Sequence, residues 1–197
     1  MPMTIIDLIR HGEPQGGRAY RGHGVDDPLS EKGWEQMRQA VAGAAPWQHI
    51  VTSPMRRCCE FAQELAQNQG LPMQTEARFK VGFGDWEGRT PEQIQAENPQ
   101  QYQDFYADPV NCRPPGAEPL DQFRTRVETA FAELLQQHAG KHVLLVSHAG
   151  VMRAIIAGVL GASGAGMYRI KVENAGLSRI RHSGEKSVLE FVNAAFL

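Results

Sequence analysis

Lys141-His-Val-Leu-Leu-Val-Ser147 carries no charge after its first residue, and it runs through His148 into Ala149–Leu160, a segment apolar almost all round. The first piece reads as a strand buried on both faces and the second as a buried helix. Such a step belongs to a mostly parallel sheet covered by helices on both sides. Similar steps occur nearer the amino terminus. Thr4-Ile-Ile-Asp-Leu-Ile9 is a β-branched strand, followed by a glycine-rich loop from Arg10 to about Leu29. Ser30 then caps a helix bearing Trp34, Met37 and Val41 at helical spacing. His49-Ile-Val-Thr52 is a second strand, after which Ser53-Pro54 offers an N-cap and a first-position proline. Met55, Cys58, Cys59, Ala62, Leu65 and Ala66 form the apolar face of that helix. Leu120, Phe123, Val127, Phe131 and Leu134 mark a long amphipathic helix that stops at Ala139-Gly140. Met167–Val172, Leu177–Arg181 and Val188–Val192 predict three more strands. The expected fold is α/β, a three-layer αβα sandwich with a mostly parallel central sheet.

Residues 78–118 break the alternation. They are rich in Pro, Gly and aromatics (Phe79, Phe83, Trp86, Tyr102, Phe105, Tyr106), with a helix start at Thr90-Pro91-Glu92-Gln93. We expect an inserted lid within a single domain spanning residues 1–197. With 197 residues, 42% hydrophobic and 21% charged, the chain has an ordinary globular composition. Twenty Lys and Arg against 22 Asp and Glu give a net charge of -2, which provides no chain-level footprint for nucleic acid or an anionic membrane. No apolar run approaches the roughly 20 residues that span a bilayer, and no basic segment precedes a cleavable one. The expected location is the cytoplasm. Cys58 and Cys59 are adjacent and Cys112 stands alone, which outlines neither a disulfide framework nor a zinc knuckle.

Ligands of open α/β sheets bind beyond the carboxyl ends of the strands. There the sequence places Arg10-His11-Gly12-Glu13, Ser53-Pro54-Met55-Arg56-Arg57 and Ser147-His148-Ala149-Gly150. Arg56 and Arg57 sit in the first turn of a helix, where the macrodipole disfavours cations by about 0.3–1 kcal/mol each. An anion shared with the helix terminus reverses that penalty. Gly12 and Gly150 allow close backbone approach to a ligand. A strand-end histidine is more often structural than catalytic, but two converging with arginines point to nucleophilic chemistry on a phosphoryl group. His23, His49, His138, His142 and His182 lack metal-ligand spacing, since Gly140 interrupts any helix aligning His138 with His142. Gly161–Gly166 follows no strand and is a turn rather than a nucleotide loop.

The ordered series of these blocks resembles the histidine phosphatase superfamily, phosphoglycerate-mutase-like branch, nearly end to end. Arg10-His11-Gly12-Glu13 matches the family signature, Ser53-Pro54-Met55-Arg56-Arg57 its Ser-Pro-Leu-x-Arg block, and Ser147-His148-Ala149-Gly150 its second-histidine motif. Asp27–Gly33, Phe83-Gly84-Asp85-Trp86-Glu87-Gly88 and Pro114-Pro115-Gly116-Ala117-Glu118 match further blocks. The resemblance implies a metal-free and cofactor-free mechanism. His11 attacks phosphorus to form a phosphohistidine, which water hydrolyses, while Arg10, Arg57 and His148 hold the phosphoryl oxygens. The short length and the Phe-Gly-Asp-Trp-Glu-Gly block are most similar to alpha-ribazole phosphatases of cobalamin nucleotide-loop assembly. The implied substrate is therefore alpha-ribazole 5'-phosphate or a similar small phosphate monoester. Six acidic residues between Asp85 and Asp108, against Arg89, suit a nucleoside monophosphate better than a bisphosphate. Where the family carries a proton-donating glutamate, this sequence has Lys80; Glu118 is a candidate to approach the pocket from another segment. A general acid contributes about 10²–10⁴ in rate. Two further readings thus stay open: a phospholigand-binding homologue with little turnover, and a phosphoglycerate-type mutase.

Overall fold

The computed structural model describes residues 2–43, 46–184 and 186–196. Six strands form one sheet in the order β3-β2-β4-β1-β5-β6: β1 Thr4–Arg10, β2 His49–Thr52, β3 Met73–Thr75, β4 His142–Ser147, β5 Leu177–Ser183 and β6 Lys186–Ala194. β1 to β4 pair in parallel, whereas β5 runs antiparallel to β1, and β6 to β5. Every residue of β4 is buried, as its uniform apolarity predicts. Its side chains alternate: Val143 and Leu145 pack with α5 (Leu120–Gln137) and α6 (Ala149–Leu160) on one face, while Leu144 and Val146 pack with α1 (Glu31–Ala40) and α2 (Arg56–Gln69) on the other. That makes the three layers. A carboxylate lies within the sheet: Asp7, fully buried in β1, accepts from Trp47 Nε1 at 2.8 Å, Arg179 Nε at 2.6 Å and the His142 ring at 2.7 Å.

Ser30 caps α1 as expected, its hydroxyl accepting from Gly33 N at 3.0 Å. Two expectations need correction. α2 begins at Arg56 with Met55 as an N-cap that makes no side-chain bond, so Ser53-Pro54 precedes the helix rather than capping it. Met167–Val172 is not a strand. Met167 closes the short helix α7 (Gly164–Met167), and the following turn gives its carbonyls to arginine side chains instead of a ladder. β3 carries no clear sequence signal, and its three residues pair only with β2 at the sheet edge.

Residues 78–118 hold a 3₁₀ turn at Gly84–Trp86 and the helices α3 (Pro91–Glu97) and α4 (Pro99–Ala107). α3 starts with the expected capping box of Thr90 and Gln93. Trp86, Ile94 and Phe105 form a separate apolar cluster, joined by Tyr20, Phe83, Tyr102 and Tyr168. This cluster seats the segment beside the carboxyl ends of the strands.

Candidate active site

Strand register brings the site together. Arg10 at the end of β1 lies level with Ser147 at the end of β4, and Thr52 at the end of β2 lies level with Val146. The next residues, His11, His148 and Ser53, are therefore neighbours although they come from distant parts of the chain. The two imidazoles meet edge to face with centroids 5.2 Å apart. Both are buried, at 7% and 5% exposure.

His11 Nδ1 lies 2.8 Å from the carbonyl oxygen of Gly12. A carbonyl can only accept, so Nδ1 holds the proton and Nε2 keeps its lone pair. His148 Nε2 lies 2.7 Å from the hydroxyl of Ser53. The Cys58 thiol donates to the Ser147 carbonyl at 3.5 Å and packs 3.8 Å from the same imidazole nitrogen. Burial first, and then the charges of Arg10 and Arg57, hold the His11 imidazolium well below its ordinary range. Burial followed by Arg57 does the same to His148. Both rings are neutral near pH 7, the state a nitrogen nucleophile needs.

The arginines around them are cations without counter-charges. Arg57, 3% exposed, donates to the carbonyls of Gly22 at 2.7 Å and Val25 at 3.1 Å, and its Nε is buried without a partner. Arg10 donates to Val172 O at 2.7 Å, and its Nε is likewise buried and unpartnered. Burial and the neighbouring Arg153 push the Arg10 guanidinium down to about 10. Among the described residues neither forms a salt bridge. Arg56 points outward and pairs with Glu60 at 2.6 Å. An uncompensated buried ion costs several kcal/mol, and a bound dianion removes that cost for both guanidinium groups. The cavity they line, about 620 Å³, is large enough for a small monoester.

Three sequence-stretch expectations take a different form. Gly12 does not serve ligand approach: a Cβ there would fall 2.3 Å from the Gly33 carbonyl, so its missing side chain lets the loop pack against α1. Gly150 does line the cavity. Lys80 and Glu118 do not join the histidines. They line a neighbouring cleft of about 490 Å³ with Arg78, Arg126 and His23. Glu118 is gripped there by Arg126 at 2.6 and 3.0 Å. Val81 faces the histidine cavity, whereas Lys80 lines the other cleft.

The acidic residues of the 85–108 segment also stay out of this cavity. Glu97 pairs with Arg89, Asp108 bonds Asn111, and Glu87 accepts from the backbone of Gly24 and Phe83. Glu13 and Glu173 do line it, each paired with a lysine, Lys32 and Lys171. Ser53 was misread as a cap, although its place after β2, equivalent to His11 after β1, was the available signal. Among the described residues no three His, Cys, Asp or Glu side chains cluster in a way that holds a metal ion. No helix of the described residues is long and apolar enough to cross a membrane.

A family model described as histidine phosphatase superfamily (branch 1) matches residues 6–195. The chain is 28% identical over 192 residues to the adenosylcobalamin/alpha-ribazole phosphatase of Escherichia coli K12, covering 95% of this chain and 94% of that one. It is also 28% identical to phosphoserine phosphatase 1 of Hydrogenobacter thermophilus, covering 97% and 92%. The crystal structure of the alpha-ribazole phosphatase from Shigella flexneri superposes with a TM-score of 0.84 at 26% identity, covering 98% of each chain.

Proposed function

The chain belongs to the histidine phosphatase superfamily, branch 1, and from that premise we propose that it hydrolyses a small phosphate monoester through a phosphohistidine on His11. The carrying observation is the pairing of a bare imidazole nitrogen with buried guanidinium groups that lack counter-charges. In the first step His11 Nε2 forms a bond to phosphorus as the ester P–O bond breaks, and the leaving oxygen takes its proton from solvent water. In the second, water attacks phosphorus, the P–N bond breaks, and inorganic phosphate leaves. Arg10 and Arg57 neutralise the non-bridging oxygens in both steps, where charge is greatest. His148, oriented by Ser53, contacts the same phosphoryl group. With Lys80 and Glu118 in the neighbouring cleft, no unpaired carboxylate of the described residues lines the histidine cavity, so good leaving groups are the faster substrates.

Alpha-ribazole 5'-phosphate and phosphoserine are the substrates that the relatives' names offer, and the first would place the protein in cobalamin nucleotide-loop assembly. A binding-only site would gain from Lys80 as one more cationic contact, but Lys80 lies outside the cavity. We further read residues 78–118 as a lid within one domain, and three free cysteines favour a cytoplasmic setting. The test is a rapid quench with a phosphorus-labelled aryl phosphate. Acid-labile label is expected on His11 and absent from His11→Ala. Label on His148, or turnover by His11→Ala, overturns the proposal.

A further inference from the structure

The 78–118 segment touches the glycine-rich loop through one carboxylate. The 3₁₀ turn Gly84–Trp86 brings Glu87 back to Phe83, whose N–H donates to Glu87 Oε1 at 2.9 Å. The other oxygen, Oε2, accepts from Gly24 N at 2.7 Å. Missing side chains make room for this contact, since a Cβ at Gly22 or at Gly24 would collide with the Glu87 carboxylate. Among the described residues Glu87 forms no salt bridge. Both of its oxygens are therefore given to amides, one in each of two distant segments.

The same short stretch of loop holds Arg57 from the other side. Gly22 O accepts from Arg57 Nη2 at 2.7 Å and Val25 O from Nη1 at 3.1 Å, and among the described residues these are the hydrogen bonds that fix its guanidinium. Gly24, whose amide Glu87 grips, lies between those two carbonyls in the chain. The ends of the loop are tied elsewhere: Gly88 N donates to Tyr20 O at 2.6 Å, Arg21 pairs with Asp27, and Asp26 Oδ1 accepts from Arg56 N at 2.8 Å. Between those ends, Glu87 and Arg57 are the hydrogen-bond partners that come from outside the loop. Glu87 lines the neighbouring cleft and not the histidine cavity, so any effect it has on phosphate passes through Arg57.

We propose that Glu87 is a positioning residue of the phosphate site: it pins the 22–25 loop so that the carbonyls of Gly22 and Val25 aim the Arg57 guanidinium at the phosphoryl oxygens. A carboxylate in direct contact would fix Arg57 equally well, but it would cancel the charge that phosphate needs. Acting one step away through backbone carbonyls, Glu87 orients the cation and leaves its charge free. The role needs two acceptor oxygens. Glutamine supplies one, and its NH₂ group then faces an N–H donor. The inference rests on reading the histidine cavity as a phosphate site and adds a residue to it.

The test is a double-mutant cycle read by calorimetric titration with inorganic phosphate, on the wild type, Glu87→Gln, Arg57→Met and the double variant. Glu87→Gln should weaken phosphate by about 2- to 12-fold, the worth of one hydrogen bond. In the Arg57→Met background the same substitution should cost less than about twofold, because the residue it positions is gone. A carboxylate that only stabilises the fold would lower Tm without ligand and leave the phosphate Kd unchanged, and that result overturns the proposal. So does an equal loss in the two backgrounds. Gly24→Ala keeps the carboxylate charged but displaces it from the amide; it should reproduce both effects, and it carries the same test if Glu87→Gln does not fold. An Arg57-dependent loss of phosphate binding in a protein that hydrolyses no monoester keeps the positioning role and removes the phosphatase reading. Aryl phosphate turnover with a kcat/KM unchanged by Glu87→Gln does the reverse.

Discussion

Replacing Arg57 by methionine isolates the charge that the buried pocket supplies to phosphate. The side chain is 3% exposed and held by two backbone carbonyls, so methionine keeps most of its packing while removing the cation. A charge-assisted bond is worth roughly 1.5–3 kcal/mol, which weakens inorganic phosphate by about 12- to 140-fold. At a phosphate concentration 100 times the wild-type Kd, binding stabilises the wild type by about 2.7 kcal/mol. For a chain of 197 residues that raises Tm by about 5–11 °C. In Arg57→Met at the same concentration the gain falls to about 0.3–1.3 kcal/mol, or roughly 1–5 °C. The readout is the phosphate-induced change in Tm for each protein, because loss of the bonds to Gly22 and Val25 also alters stability without ligand. Arg56→Ala, which removes only an exposed pair with Glu60, should show the full wild-type shift. Equal losses from the two variants, or an undiminished shift in Arg57→Met, would refute the assignment of Arg57 to the phosphate.

Three other outcomes are expected. Since burial, then Arg10 and Arg57, keep the His11 imidazolium well below 6.5, the acid limb of kcat/KM for an aryl phosphate should lie below pH 6.5 and move upward in Arg57→Met; a limb that stays in place contradicts the account. Lys80→Glu should leave the ratio of alkyl to aryl turnover within about twofold of wild type, because Lys80 lies outside the cavity; a selective alkyl gain in the ~10²–10⁴ range of a general acid would show the opposite. Burial pushes the Asp7 carboxyl up, but hydrogen bonds from His142, Arg179 and Trp47 outweigh it and hold it below its ordinary value. Its stabilisation is therefore complete above about pH 4 and lost as pH falls through the lower folded value. Asp7→Asn should cost about 3–5 kcal/mol at pH 7 in urea unfolding, with a gap that narrows in acid; a constant gap would contradict the sign.

What could be read from the sequence divides along a physical line. β4 and α6 were legible because their burial follows from local apolarity, and His11 and His148 because strand ends in such sheets point to one edge, whereas Arg57 was told from Arg56 only by the family motif. β3 was not, because its existence depends on pairing with β2. Met167–Val172 has the apolar content of a strand, yet its carbonyls serve Arg10 and Arg153, a tertiary use that no local pattern encodes. Ser53 fits the chemistry of a cap as well as that of a histidine partner, and only the closeness of β2 to β4 decides between them. Lys80 stands at the family's acid position by its spacing before Phe83, but the fold places its side chain in the other cleft.

The sheet order also dictates when this protein can begin to fold. Both neighbours of β1, the strands β4 and β5, come from the last third of the chain, with Ile5 paired to His142. A ribosome adding about 5–20 residues per second needs roughly 7–27 s to make the intervening stretch. Through that interval Thr4–Arg10 is an apolar ribbon with two open edges, free to pair with another nascent chain. The carboxyl-terminal part of the protein thus acts as its own late shield, and shortening it should send the product into aggregates before any phosphate site exists.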